Sequence, residues 1–223
     1  MAAPKINGNC YLCGKSLGKT AMKNHLLKEH ASGGEACVLL KIEGACDKQY
    51  WLYVDAPKDK TLGAVDAFLR KIWLECCGHM SVFYGEQSQE LPKARNLGAF
   101  ETGDRITHEY DMGSTTECLI TFAGETSRPK QKSLVRLLAR NAAPVFPCAS
   151  CGAPAAYICR ECMYDSESPH YCEACAEEHD HKEALVTITN SPRSGECGYT
   201  GRLDVFAYTP GIDCANAGKR ERL

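Results

Sequence analysis

The chain has 223 residues, of which 44% are hydrophobic and 24% charged, with a formal net charge of −2. These proportions are those of a globular protein and exclude both a disordered chain and one that binds polyanions over its whole surface. No stretch approaches the roughly 18 apolar residues of a membrane span, and the opening residues 1–9 carry no apolar export segment. A cytoplasmic location is expected, or a nuclear one in a eukaryote, with no membrane partner.

Fifteen cysteines need an explanation. Without an export signal, metal thiolates account for them better than disulfides. Eight fall into four C-x-x-C pairs, and Cys37, Cys46, Cys76, Cys77, Cys118, Cys197 and Cys214 stand outside them.

Residues 1–33 begin the series. Cys10-x2-Cys13-x11-His25-x4-His30 has the spacing of a two-cysteine, two-histidine zinc finger, one residue short in the central gap. Cys13-Gly14-Lys15 predicts a tight knuckle, and Thr20 is read as the N-cap of a helix from Ala21 to about Glu29. Leu17, Met22 and Leu26 supply a small apolar cluster. The spacing of His25 and His30 requires the last helical turn to loosen. Residues 1–30 hold five lysines against one glutamate, a net of +4 that leaves −6 for the rest. Lys19, Thr20 and Lys23, near the helix start, are the residues that would meet DNA or RNA. A finger that contacts protein, or is purely structural, is the alternative.

Residues 34–141 read as α+β. Ala36–Glu43 and Lys48–Asp55 predict a hairpin around Gly44-Ala45-Cys46-Asp47. Thr61 caps a helix whose apolar positions Leu62, Val65, Phe68, Leu69, Ile72 and Trp73 recur every three or four residues, stopping at Gly78. Met80–Tyr84 and Glu117–Phe122 predict strands, Leu134–Ala139 a third strand or a short helix, and Gly85–Asn96 a loop. Cys76, Cys77 and His79 cluster after the helix; His108, Glu109 and Asp111 precede Gly113-Ser114. Either group could serve a catalyst. The preferred reading is that the cysteines pack as small hydrophobes and that Asp111–Ser114 is a turn entering a strand.

The strings Asp66-Ala67-Phe68-Leu69-Arg70-Lys71-Ile72-Trp73-Leu74-Glu75-Cys76-Cys77-Gly78-His79-Met80-Ser81 and Glu109-Tyr110-Asp111-Met112-Gly113-Ser114-Thr115-Thr116-Glu117 resemble the plasmid pRiA ORF-three-like domain family, whose members are often labelled transposon passenger proteins. The resemblance extends through Leu137–Asn141 to Ser191–Tyr199. Met112 stands where the family usually has Phe. The resemblance implies an α+β fold without an established activity, and no recombinase chemistry is carried over.

Residues 142–223 hold the densest ligand pattern. Pro144 and Pro147 bracket a short linker. Then follow Cys148-x2-Cys151-x7-Cys159-x2-Cys162-x9-Cys172-x2-Cys175-x3-His179-x-His181, eight ligands for two tetrahedral sites. The pattern resembles B-box-like cross-brace fingers. That resemblance implies one ion on Cys148, Cys151, Cys172 and Cys175 and another on Cys159, Cys162, His179 and His181; sequential pairing is the alternative. His170 is expected to be exposed, and Cys197 is a reserve that could replace His181. Ala184–Thr189 and Val205–Tyr208 predict strands, and 218–222 a basic tail.

The expected architecture is therefore a central mixed α+β domain flanked by an N-terminal zinc finger and a C-terminal two-zinc cross-brace module. The expected cofactors are three zinc ions, one in the first region and two in the last. The favoured function is a non-catalytic binding protein that contacts nucleic acid through residues 1–33 and protein through residues 142–223. The alternatives are an enzyme with a cleft in the central domain, lined by His79, His108, Glu109 or Asp111, and a purely protein-docking adaptor.

Overall fold

The computed structural model describes residues 6–31, 33–166 and 168–201. In chain order the strands and helices are β1 (Asn7–Cys10), β2 (Ser16–Gly18), α1 (Lys19–Glu29), β3 (Glu35–Gly44), β4 (Trp51–Pro57) and α2 (Leu62–Leu69). They continue with β5 (Ser81–Tyr84), β6 (Glu90–Leu91), β7 (Arg105–Tyr110), β8 (Thr116–Arg128) and β9 (Arg136–Asn141). The last third holds β10 (Tyr157–Cys159), α3 (Cys162–Asp165), β11 (His170–Tyr171), α4 (Glu173–Ala176) and β12 (Leu185–Thr187). The fold is thus mixed helix and strand, mostly antiparallel sheet. The strand predicted at Val205–Tyr208 and the basic tail lie outside the described residues.

Nine strands form one antiparallel sheet in the order β2-β1-β9-β4-β3-β8-β7-β5-β6. Alternation along β3 explains its two faces. Val38, Leu40 and Ile42 join Leu62, Val65, Leu69 and Trp73 of the α2 region in one buried cluster. Leu39 points the other way, into a second cluster with Met22 and Leu26 of α1 and with Trp51, Tyr53, Ala123 and Leu138. The sheet therefore carries α2 on one face and α1 on the other, and β4 between the clusters is buried along its whole length.

The apolar residues expected to form a private cluster inside residues 1–33 instead pack on the sheet, and β1 extends it by pairing with β9. Gly8 permits this approach, because a Cβ there would lie 2.2 Å from the Arg140 carbonyl oxygen and 2.5 Å from the Trp51 ring. The helix α1 starts two residues earlier than the sequence suggests. Gly18 occupies the N-cap with extended backbone, Lys19 opens the helix, and Thr20 lies inside it.

The helix predicted to stop at Gly78 forms but ends at Leu74, and its second half, Arg70–Leu74, widens into a π-helical turn closed by the Glu75 amide on the Arg70 carbonyl. The segment 85–96 contains the short strand β6, and 134–139 resolves to strand rather than helix. The strand β7 was not foreseen. Its inward positions Ile106, His108 and Tyr110 alternate with outward Thr107 and Glu109, and a histidine at the middle inward position hides the apolar alternation.

On the face of the sheet that carries Leu39, with which Asp55 is in register, lies a buried ion triad. Asp55 on β4 accepts from Arg128 Nη1 on β8 at 2.8 Å and from Arg136 Nε on β9 at 3.2 Å, with Asp55 and Arg128 fully inaccessible. Removing the carboxylate leaves two buried guanidinium groups with no counter-charge. Asp55→Ala is expected to destabilise the fold by about 3–5 kcal/mol, read as a lower denaturant midpoint at unchanged metal content; an unchanged midpoint would mean that the triad contributes nothing.

Candidate metal centres

Among the described residues, cysteine and histidine side chains come together in four places, and in each the ligand atoms lie within 4.8 Å of one another. Three of the groups comprise the twelve residues singled out by spacing; the fourth was not assembled from the sequence.

The first group is Cys10, Cys13, His25 and His30. Cys10 ends β1, and the chain turns sharply: the Gly14 amide donates to the Cys10 carbonyl at 2.8 Å and Gly14 takes φ 84°, a left-handed conformation suited to glycine. His25 projects from the buried side of α1. His30 is the helix C-cap, with φ −125°. There the helix unwinds, which lets a ligand five residues on reach the same point. Cys13 Sγ lies 3.2 Å from His25 Nε2 and Cys10 Sγ 3.6 Å from His30 Nε2. Burial pushes the Cys10 thiol up to about 11 and, with His25 nearby, holds His30 below the usual imidazole range.

The second and third groups interleave along the chain. Cys148 and Cys151 meet Cys172 and Cys175, while Cys159 and Cys162 meet His179 and His181. The first and third pairs thus share one centre and the second and fourth share the other, as in a cross-brace and not in sequential order. Cys148-Ala149-Ser150-Cys151-Gly152 repeats the N-terminal knuckle, with the Gly152 amide donating to the Cys148 carbonyl at 2.9 Å and Gly152 at φ 75°. Backbone amides of Cys172, Cys151 and Ser150 converge on Cys148 and bring its thiol down to about 6. Cys175, beside Cys151, Cys172 and Cys148, is pushed up to about 12.

Between these centres runs a small antiparallel sheet, β11-β10-β12. The strand β10 ends on Cys159 and the helix α3 starts at Cys162, so the second knuckle is a strand-to-helix corner. Cys172 caps α4, and Tyr171 stacks on His179 with ring centroids 4.0 Å apart. His170, expected to be exposed, is half-buried and stacked on Phe146 at 4.2 Å. Burial lowers its pKa.

The fourth group is Cys76, Cys77, His79 and Cys197. Cys197 does not substitute for His181; the chain instead brings it to the central domain. Of the two cysteines expected to pack as small hydrophobes, half-buried Cys76 does pack against the main hydrophobic cluster, whereas Cys77 is exposed. The segment that delivers Cys197 is anchored by side-chain hydrogen bonds. Asn190 Oδ1 accepts from Asn141 Nδ2 at 2.8 Å, the Asn190 carbonyl accepts from Trp73 Nε1 at 3.1 Å, and Ser191 Oγ donates to the Trp73 carbonyl at 2.7 Å. Arg193 is fully buried. Its Nη1 donates to the Ser114 carbonyl and Thr116 Oγ1, both at 2.9 Å, and its Nη2 to Asp111 Oδ2 at 2.6 Å.

The polar residues that might have lined a catalytic cleft do not converge. His79 and Asp111 are neighbours, His108 is buried against Asp66, and Glu109 points to the opposite side of β7. Asp66 also accepts from Ser81 Oγ at 2.7 Å and Lys93 Nζ at 2.9 Å. Of the residues read as nucleic-acid contacts, Lys19 is paired with Glu43 and donates to the Lys48 carbonyl at 3.0 Å, Thr20 is exposed and Lys23 half-exposed.

No family model matches the sequence, and no curated protein matches it. Among solved structures, a crystal structure of a protein of unknown function from Methanosarcina mazei Go1 is similar, with 11% identity over 48% of this chain and 70% of that chain and a TM-score of 0.41. Among the described residues, no helix is long and apolar enough to cross a membrane.

The His108–Asp66 pair makes stability depend on pH in a definite direction. Burial outweighs the attraction of Asp66 and holds His108 below the usual histidine range. The folded ring is therefore neutral and donates Nε2–H to Asp66 Oδ1 at 2.8 Å. As pH falls through about 6.5 the unfolded chain takes up this proton first. Stability present above that pH is then lost on acidification. In urea titrations at pH 8 and pH 5.5, His108→Gln should lose less stability between the two pH values than the parent; equal losses would show that His108 does not titrate in this way.

Proposed function

We propose that this is a non-catalytic zinc-binding protein in which Cys10/Cys13/His25/His30, Cys148/Cys151/Cys172/Cys175 and Cys159/Cys162/His179/His181 each hold one structural Zn2+. The observation that carries this reading is the spacing of the donor atoms. A tetrahedral zinc with ordinary bond lengths sets sulfur–sulfur edges of about 3.8 Å and sulfur–nitrogen edges of about 3.5 Å. Cys151 to Cys172 is 3.6 Å, and Cys162 is 3.5 Å from both His179 and His181. Four protein donors close each site and leave no position for a reacting water.

The rest of the proposal concerns partners. Nucleic acid would meet the exposed side of α1 at Thr20 and Lys23, whereas Lys19, held by Glu43, fixes the helix to the sheet. The two-centre module at 142–201 would dock protein. The family resemblance to the plasmid pRiA ORF-three-like proteins belongs to the same proposal, as does a reducing cytoplasmic or nuclear setting suited to thiolate ligands.

Metal analysis of the purified chain tests the core of the reading. Cys10→Ser, Cys148→Ser and Cys159→Ser are each expected to lose one zinc equivalent, and chelation should unfold the module around β10, because so small a unit folds with its metal. A metal-free chain of undiminished thermal stability would refute it. Fluorescence anisotropy with mixed-sequence DNA and RNA over a salt series tests the partner. Salt-sensitive binding weakened by Lys23→Ala supports nucleic acid; no binding at low salt favours the protein-docking reading.

A further inference from the structure

We propose that Cys76, Cys77, His79 and Cys197 form a fourth metal site, for a zinc-class divalent cation, that latches the C-terminal segment onto the central domain. The site uses none of the twelve ligands above and stands or falls independently of them.

Geometry is the first argument. Cys76 Sγ to Cys77 Sγ and Cys77 Sγ to Cys197 Sγ are both 3.7 Å, and Cys197 Sγ to His79 Nε2 is 3.5 Å. These match the edges of about 3.8 Å and about 3.5 Å that a tetrahedral zinc imposes on sulfur–sulfur and sulfur–nitrogen pairs. Cys77 Sγ to His79 Nε2, at 2.9 Å, is the one compressed edge. None of the thiol pairs is near the sulfur–sulfur bond length of about 2.05 Å, so the sulfurs are arranged around a point rather than against one another.

The backbone supplies the second argument. Two adjacent cysteines and a histidine two residues on can face one point only if the chain turns back at once. Gly78, at φ 84°, makes that turn, and its amide donates to the Glu75 carboxylate at 2.5 Å. Opposite, Cys197 itself adopts φ 49° between Gly195 at 88° and Gly198 at 66°. A non-glycine residue in the left-handed region is uncommon, and here that conformation brings the Cys197 thiol to the other three donors.

Charge is the third. A divalent ion bound by three thiolates and a neutral imidazole releases three thiol protons and leaves one net negative charge. Arg193, whose charge is shared with Asp111, donates from Nη2 towards Cys76 Sγ at 3.4 Å and so offers that thiolate an N–H. The same guanidinium lies 4.8 Å from the centroid of the Tyr110 ring. Asp111 Oδ2 is 3.4 Å from His79 Nε2. Arg193 occupies that oxygen at 2.6 Å, so the donor set remains three sulfurs and one nitrogen. Buried outer contacts of this kind orient ligands and tune the metal.

The test counts metal on the full chain, purified under reductant and loaded with Zn2+, by native mass spectrometry. The parent is expected to carry four ions, and Cys77→Ser and Cys197→Ser three each. Both substitutions fall at exposed positions, so the core should be undisturbed. Hydrogen exchange of residues 190–199 should rise in both variants. Cobalt loading should show a thiolate-to-metal absorption in the parent that is reduced in either variant by the share of one site. A parent holding three ions, whose count falls in Cys10→Ser, Cys148→Ser and Cys159→Ser but not in Cys77→Ser or Cys197→Ser, would overturn the fourth site while leaving the other three standing. A Cys77–Cys197 disulfide recovered from the reduced, zinc-loaded parent would overturn it as well.

Discussion

Thiolates brought within 4.8 Å of one another repel, and each can ionise fully only if a cation sits among them. The cluster of Cys148, Cys151, Cys172 and Cys175 displays the conflict directly. One sulfur collects the backbone amides and is brought down to about 6, while another is forced up to about 12. Peptide dipoles can satisfy one negative charge there but not four. A divalent ion would resolve the conflict for all the donors at once, and the short turns at Cys13-Gly14 and Cys151-Gly152 aim neighbouring sulfurs at one point. The small β11-β10-β12 sheet has few buried side chains, Ile158 and Cys159 among them, so the ligand groups on either side of it are its principal restraint.

The three regions are not beads on a string. The strand β1 is part of the large sheet, and α1 covers a face that would otherwise expose Leu39, Trp51, Tyr53 and Leu138. Lys19 ties the start of α1 to Glu43. At the other end, Asn190, Ser191 and Arg193 insert polar groups that hydrogen-bond with Trp73, Asn141 and Asp111. A segment embedded in this way presents one side of α1, held at a fixed orientation to the sheet.

Local patterns were legible in the sequence; long-range meetings were not. Cysteine pairs separated by two residues, with histidines or further pairs close by, disclose a ligand group, because a single short knuckle brings each pair to one point. The helix over 62–74 was equally plain from Leu62, Val65, Leu69 and Trp73. Cys197 was not assignable, because its neighbours Cys77 and His79 lie 120 and 118 residues away, and no spacing rule spans that distance. His108 misled for a different reason. A histidine beside a glutamate and an aspartate suggests chemistry, yet the period of two along β7 turns it inward to a carboxylate on α2. Thr20 was read as the N-cap on side-chain grounds, whereas the chain enters the helix directly from β2 at Gly18 without a side-chain cap.

The pairing of β1 with β9 joins Gly8 to Asn141 across most of the large domain, and so ties the two ends of that domain's sequence together. The knuckle at Cys10 and Cys13 and the helix bearing His25 and His30 lie within one short stretch, whereas the β1–β9 pairing closes a far longer loop at a larger entropic cost. Cys77 and Cys197 are likewise drawn together from 120 positions apart. Their meeting depends on the docking of the segment that carries Arg193 against Asp111, so this exposed pair reports on that docking from the surface.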